Sequence, residues 1–367
     1  MQRVLLSDLK TDMSKFFSNR HSALVPYVPG EQPQATRKYI KLNTNESPFP
    51  PSPSAQENLA AAGRNLQLYS DPKCKRLTEL FAQYNGVEPE EVLMTNGSDE
   101  ILNFAFMAFC DEDHPAVFPD ITYGFYPVFA QLNRIPYETI PLADDFSINV
   151  EDYIGINKNI FIANPNAPTG IALTVGEIER IVASNPENVV VIDEAYVDFG
   201  GESCIPLIKK YKNLIVTQTF SKSRSLAGAR LGAGIADREL INDMNTIKYS
   251  TNPYNVNAMT MAAGIGALTD DEYMKNNCDV IVESRKYASE ELKKLGFEMT
   301  DSQANFIFAK HPSIDGKELY LALKDRGILV RHFDLPHICQ YNRITVGLPE
   351  QMQVLVETVR EILEDRK

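Results

Sequence analysis

Between residues 92 and 216 the chain repeats one pattern. A short aliphatic run comes first, a polar cluster follows it directly, and a helical stretch comes next. The runs lie at residues 92–95, 116–118, 137–142, 159–163, 189–192 and 214–216. They are too short for helices. Most are also too evenly apolar to be strands with one wet face. Runs of this kind, separated by helical patterns at 100–109, 123–132 and 175–183, predict a mostly parallel sheet covered by helices on both faces. The clusters then fall at the carboxyl ends of strands, where open α/β sheets collect ligands.

The last run leads into Thr219-Phe220-Ser221-Lys222, and Arg230 follows between glycines at Gly228 and Gly232. A lysine at a buried strand end is costly to keep charged unless it is paired. The cost falls if its amine is consumed as an imine, the bond lysine forms with carbonyl substrates and with pyridoxal phosphate. Thr219, Ser221 and Arg230 would then surround a phosphate, Arg230 with its two-pronged fork. A solvated lysine at a strand-to-loop junction is the plainer alternative.

The other clusters carry compatible chemistry. Asn96-Gly97-Ser98-Asp99 is a strand-to-helix turn whose amides could bind an anion or simply cap the helix. Asp193 ends an aliphatic strand and needs a cationic partner, such as a pyridinium nitrogen; a helix cap or a metal ligand would also explain it. Tyr196 could donate to a phenolic oxygen or pack in the core. Tyr123, expected at a helix start, could stack on a flat ring or pack. Arg331 and Arg343 flank short apolar strands, where two guanidiniums could clamp a phosphate or carboxylate, or lie in solvent.

Length and composition bound the rest. With 367 residues, two or so domains are expected. We assign residues 1–35 to an N-terminal helix and proline-rich arm packing on a smaller domain, 36–255 to a large α/β domain, and 256–367 to a smaller α+β domain. The net charge of −13 argues against nucleic acid or an anionic membrane as partner. Five scattered cysteines without Cys-x-x-Cys spacing suit free thiols in a reducing cytoplasm. No His-Glu-x-x-His or cysteine spacing suggests a metal. No secretory signal and no membrane span are expected.

Taken together, the motifs resemble those of the fold-type-I pyridoxal-phosphate aminotransferases, in particular the class-II histidinol-phosphate branch. The most specific is Ser-Lys-x-x-x-Leu-Ala-Gly-x-Arg-x-Gly at 221–232. Next come Asp193-Glu194-Ala195-Tyr196 and Asn164-Pro165-Asn166-Ala167-Pro168-Thr169-Gly170. Arg343-Ile344-Thr345-Val346-Gly347 and the Pro26-Tyr27-Val28-Pro29-Gly30 arm point to the narrower branch. The resemblance covers nearly the whole chain. It implies transfer of the amino group from L-histidinol phosphate to 2-oxoglutarate in histidine biosynthesis, with pyridoxal 5'-phosphate as cofactor.

By the same resemblance Lys222 holds the cofactor as an imine and moves the proton. Asp193 pairs with the ring nitrogen, Tyr196 meets the phenolic oxygen, and Tyr123 stacks on the ring. Gly97, Ser98, Asp99, Thr219, Ser221 and Arg230 surround the cofactor phosphate. Tyr69 is implied to reach that phosphate from a neighbouring subunit, which implies a homodimer with shared sites. Tyr27, Asn45, Arg331 and Arg343 are the implied substrate contacts. One departure concerns the family's second asparagine before Pro-Thr-Gly, which is Ala167 here, so Asn166 is assigned its contact. Arg224-Ser225 is also more polar than the family's usual stretch. Rival readings are a threonine-phosphate decarboxylase or an aromatic or aspartate aminotransferase of the same fold. A non-catalytic cofactor-binding regulator would carry an added DNA-binding module, for which no spare segment is expected here, and a nucleotide oxidoreductase would carry a Gly-x-Gly-x-x-Gly that does not follow the first strand of the repeating region.

Overall fold

A computed structural model describes residues 14–32 and 38–366. Its strands, in chain order, are β1 (Ile40–Lys41), β2 (Val92–Thr95), β3 (Ala116–Pro119), β4 (Tyr137–Ile140), β5 (Asn159–Ala163), β6 (Val190–Asp193), β7 (Leu214–Thr219), β8 (Gly232–Ala236), β9 (Glu298–Met299), β10 (Phe306–Lys310), β11 (Ile328–Leu329), β12 (Arg331–His332) and β13 (Asn342–Thr345). The α-helices are α1 (Pro53–Ala62), α2 (Lys75–Asn85), α3 (Ser98–Phe109), α4 (Tyr126–Asn133), α5 (Val175–Ser184), α6 (Arg238–Thr251), α7 (Ala258–Thr269), α8 (Asp271–Lys294), α9 (Gly316–Asp325) and α10 (Pro349–Glu364).

The large sheet has the order β2-β8-β7-β6-β5-β3-β4. All its pairings are parallel except those of β8, which runs antiparallel to both β2 and β7. Apart from edge strand β4, which carries exposed Glu138 and Thr139, the runs are apolar because alternate side chains feed two cores. Ile160, Ile162, Val190, Ile192, Leu214 and Val216 point to one side, while Phe161, Val191 and Ile215 point to the other. Strand β8 was not expected, because Gly-Ala-Gly-Ile-Ala carries little strand propensity. Its smallness is a packing requirement. A Cβ on Gly234 would lie 2.6 Å from Ile101 of α3.

A third core gathers Met274, Cys278, Ile281, Ala288 and Leu292 of α8 with β10 and α10. Strands β12-β13-β10-β9 form its antiparallel sheet. Helix α7, by contrast, contributes Met261, Ala263, Ala267 and Leu268 to the core of the large sheet. Short β1 pairs with β11, and Leu42 enters the third core. Two contacts tie this core to the large sheet. Arg285 of α8 donates to the Phe199 carbonyl at 2.9 Å. The Thr300 hydroxyl donates to the Thr169 carbonyl at 2.5 Å.

The amphipathic helix expected within residues 1–17 falls largely outside the described residues. Residues 14–17 form no helix, and a single 3-10 turn follows at Asn19–His21. The helix expected from Tyr123 starts instead at Tyr126, whose successor Pro127 suits a first turn. Tyr123 is thereby left in the preceding loop.

Helices α1 and α7 meet at Gly266, where an added Cβ would stand 2.4 Å from the Ser54 carbonyl oxygen and 2.5 Å from the Ala55 nitrogen. Backbone cannot swing aside as a side chain can. Gly266→Ala is therefore expected to cost about 1–3 kcal/mol by overpacking. Gly228→Ala, with open space around it, is the control. Urea unfolding of the two variants checks the difference.

Candidate active site

The carboxyl ends of β2, β3, β5, β6 and β7 converge on one cleft. Its floor is built from Ser98, Asp99, Asp193, Tyr196, Lys222 and Arg230. A wider mouth of about 720 Å³ continues past Tyr27, Thr44, Phe333, Arg331 and Arg343.

Lys222 sits three residues beyond Thr219, the last residue of β7. Its Nζ donates to the Thr44 carbonyl at 3.3 Å, and what exposure it keeps is to the cleft. No described carboxylate lies within ion-pair reach. Burial, reinforced by the neighbouring Arg343 charge, lowers the amine from its ordinary 10.5 to about 8. The loop around it is anchored on both sides. Ser223 donates to Asp198, and buried Arg224 donates to the Ala267 carbonyl at 2.8 Å.

Asp193 is the last residue of β6 and is buried. The Thr217 hydroxyl donates to it at 2.9 Å, and no described cation pairs with it. Burial raises its carboxyl to about 6. Next to it, Glu194 accepts from the Cys204 amide at 2.6 Å, Ser203 at 2.7 Å and Gln218 at 3.0 Å. Those bonds fix the segment after β6, and burial still lifts Glu194 to about 7.

Tyr196 is buried with its hydroxyl turned to Asn45, whose amide donates to it at 3.0 Å. Asn45 is held in turn by Thr345 of β13, which donates to its side-chain oxygen at 3.0 Å. Burial keeps the Tyr196 phenol above its ordinary range, against the opposing pull of Arg343 and the Asn45 bond.

On the opposite wall, Asp99 accepts from Tyr123 at 2.6 Å and from Arg230 at 2.9 Å. The Arg230 fork lies against Gly97, which has φ +81°. A Cβ there would meet the guanidinium at 2.6 Å. A Cβ on Gly232 would strike the Ser98 nitrogen at 2.3 Å. These two glycines hold the amino end of α3 and the Arg230 guanidinium against one another. Amides at a helix start beside a guanidinium form an anion cradle. Thr219 and Ser221 border the same space.

Arg331 and Arg343 face each other in register across β12 and β13. Arg343 donates to the Asn43 carbonyl at 3.1 Å, and Arg331 donates to the Val28 and Pro29 carbonyls at 3.3 Å each. Neither forms an ion pair with a described carboxylate. Burial and the nearby Arg331 charge lower the Arg343 guanidinium. Tyr27 stacks on Phe125 at 4.2 Å and lines the mouth.

Two expected site residues do not join this group. Asn166 spends its side chain on Thr122, the Ile121 carbonyl and Thr169. Ala167 lines the cleft in its place. Tyr69 lies outside the cleft, 85% exposed, with its ring stacked on Tyr254 at 4.6 Å. Sequence reasoning missed Thr44, Thr217 and Phe333. A backbone carbonyl has no sequence signature, and Thr217 reads as one more strand residue. Phe333 gave no signal apart from its place two residues after Arg331.

The family "Aminotransferase class I and II" matches residues 37–359. The chain is 46% identical to "Histidinol-phosphate aminotransferase" of Brachyspira hyodysenteriae, covering 96% of this chain and 100% of that protein. It is 48% identical to the protein of that name from Aromatoleum aromaticum, again covering 96% and 100%. The crystal structure of histidinol-phosphate aminotransferase from Sinorhizobium meliloti, in complex with pyridoxal-5'-phosphate, superposes with a TM-score of 0.85 at 23% identity, covering 96% of this chain and 99% of that one. The chain belongs to the class I and II aminotransferases and, within that class, to the family of the histidinol-phosphate aminotransferases. Its large sheet and helices are those of the fold-type-I enzymes. No helix among the described residues is long and apolar enough to cross a membrane.

The lowered Lys222 amine has a stability consequence in cofactor-free protein. Its folded value, about 8, lies below the ordinary 10.5 of the unfolded chain. The cost of burying the charge is therefore complete below pH 8 and fades as pH rises from 8 to 10.5. Lys222→Met should exceed the parent in stability at pH 7, on the order of 1–3 kcal/mol. The advantage should shrink by pH 10, as read by urea unfolding at both values.

Proposed function

We propose that this chain is a pyridoxal-phosphate-dependent transaminase. It moves the amino group of L-histidinol phosphate to 2-oxoglutarate, giving imidazole acetol phosphate and L-glutamate. The observation that carries this reading is the pair Arg331 and Arg343. Two guanidiniums without carboxylate partners face the same cleft as a lysine of lowered basicity. Such a pair suits a phosphate on the amine substrate and a carboxylate on the oxo acid in turn. The names of the relatives agree with it.

The residues present fit pyridoxal phosphate. Asp193 is a buried carboxylate lacking a described cation, which a ring nitrogen would supply. The amides of Ser98 and Asp99 with Arg230, Thr219 and Ser221 would hold the phosphate. Tyr196 would meet the phenolic oxygen, and Tyr123 would cover the ring. Bound there, the cofactor supplies an electron sink for the carbon that bears the amino group. Lys222 would hold the cofactor through its Nζ. Free of that bond, the same amine, of basicity near neutral pH, would take the proton from the substrate carbon as general base and deliver it as general acid to the carbon that gains it. Asn45 keeps the Tyr196 hydroxyl directed during both transfers. Arg331 and Arg343 would orient the substrate's anionic end, and Tyr27, held by its stack on Phe125, lines the mouth beside them.

The exposed Leu66, Leu68 and Tyr69 support a homodimer in which Tyr69 serves the site of the partner subunit. The free cysteines, four of the five buried, support a reducing cytoplasmic setting.

Absorbance of cofactor-loaded protein tests the reading. L-histidinol phosphate alone should convert the resting band to a pyridoxamine-type band, and 2-oxoglutarate should restore it. Lys222→Ala should abolish the cycle. An untouched band sinks the substrate assignment, and carbon dioxide without glutamate would favour the decarboxylase. Arg343→Leu should lower kcat/KM for histidinol phosphate by roughly 100-fold, the loss of a charge-assisted pair.

A further inference from the structure

Arg331 and Arg343 pose a problem that the rest of the site does not answer. Two like charges stand directly opposite one another on adjacent strands, an arrangement that is destabilising in itself. The usual remedy is a carboxylate between them, and none of the described carboxylates pairs with either. A carboxylate would steady the guanidiniums but cancel the positive charge on which anion binding depends. Backbone carbonyls meet part of the need. Val28 and Pro29 take donors from Arg331, and Asn43 takes one from Arg343. The flat faces of the guanidiniums are met differently. Arg331 lies over the Phe333 ring at 5.4 Å, and Arg343 lies over the same ring at 5.7 Å. Arg343 also lies over Phe306 at 5.4 Å.

We propose that Phe333 is the positioning residue for this arginine pair, a single aromatic ring that both guanidiniums share and that fixes where an incoming phosphate or carboxylate must bind. The position follows from the strand. Phe333 is two residues beyond Arg331, so alternation returns it to the same side of the sheet. That is also the side of Arg343, which is the cross-strand partner of Arg331. The ring π-face attracts each cation without contributing negative charge. The pair therefore keeps its full +2 for the ligand while each fork is held flat for two-pronged contact. Phe308 of β10 packs edge-on against Phe333 at 6.5 Å and backs the ring. The inference rests on the anion-binding role of Arg331 and Arg343 and not on which amine the enzyme uses.

The test compares Phe333→Leu, which keeps bulk but removes the π-face, with Phe333→Trp, which restores one. Inorganic phosphate binding to cofactor-loaded protein is measured by calorimetry, alongside KM and kcat for histidinol phosphate and for 2-oxoglutarate. Phe333→Leu should weaken phosphate about tenfold and raise both KM values similarly, by more than kcat falls. Phe333→Trp should recover most of the loss. A role in packing alone would lower thermal stability in Phe333→Leu but leave phosphate affinity within twofold, and that result overturns the proposal. So does a Phe333→Trp variant that folds and binds phosphate no better than Phe333→Leu. If phosphate binding responds as expected while histidinol phosphate proves not to be a substrate, the substrate assignment fails and the role of Phe333 stands.

Discussion

Everything in the cleft is arranged around an amine that the fold declines to neutralise. Lys222 Nζ reaches one backbone carbonyl, that of Thr44, and stands within the field of Arg343. An ion pair at this point would hold the lysine charged and therefore inert as a nucleophile. Leaving it unpaired keeps the amine near the point of losing its proton at physiological pH. Such an arrangement persists only if the surroundings are rigid, since a mobile loop would let the amine escape to water. The rigidity comes from the Ser223–Asp198 bond, from buried Arg224 spanning to α7, and from β7 itself, which is paired on both edges.

The negative charge has been placed with equal economy. Asp193 forms part of the cleft floor on the neighbouring strand, one pairing away from β7, and no described cation pairs with it. Asp99 lies on the opposite wall and is already occupied by Tyr123 and Arg230. A ligand with a cationic ring nitrogen and an anionic phosphate would satisfy the first and use the cradle beside the second. The antiparallel β8 is what makes this cradle possible. Running back between β2 and β7, it brings Arg230 to the turn after β2, and its glycines let α3 close on the sheet.

How much of this was legible in the sequence follows from the kind of signal each part leaves. Most of the aliphatic runs were legible because burial on both faces demands uniform apolarity; the run that became edge strand β4, Tyr-Glu-Thr-Ile, is half exposed and carries a weaker signal. Lys222, Asp193, Tyr196 and the two arginines could be singled out as chemistry-bearing residues in or just beyond short apolar strands, and the fold brings them to one cleft. Strand β8 was not legible, since glycine and alanine are there for what they leave out. The direction of the Asn166 side chain was not legible for a related reason. A motif fixes an asparagine's place in the chain and not the direction of its amide, and this one turns to Thr122 and Thr169. The pairing of Asn45 with Tyr196 crosses 151 residues of sequence, so only the folded chain could reveal it.

That long-range pairing also explains why the third core is part of the site rather than an appendage. The bonded series Tyr196, Asn45, Thr345 begins in the segment after β6, passes through the segment following β1, and ends on β13. Arg343 lies two residues before Thr345 on the same strand and on the same face. Any shift of β13 that carried Arg343 away from a bound anion would therefore also pull on Asn45 and release the Tyr196 hydroxyl. The position of the anion at the mouth and the direction of the phenol on the floor are set by one strand. On the proposed roles of the arginines and of Lys222, a substrate seated on the arginines would stabilise the same arrangement that the proton transfer requires, and binding energy at the far end of the substrate would be available to the reacting end.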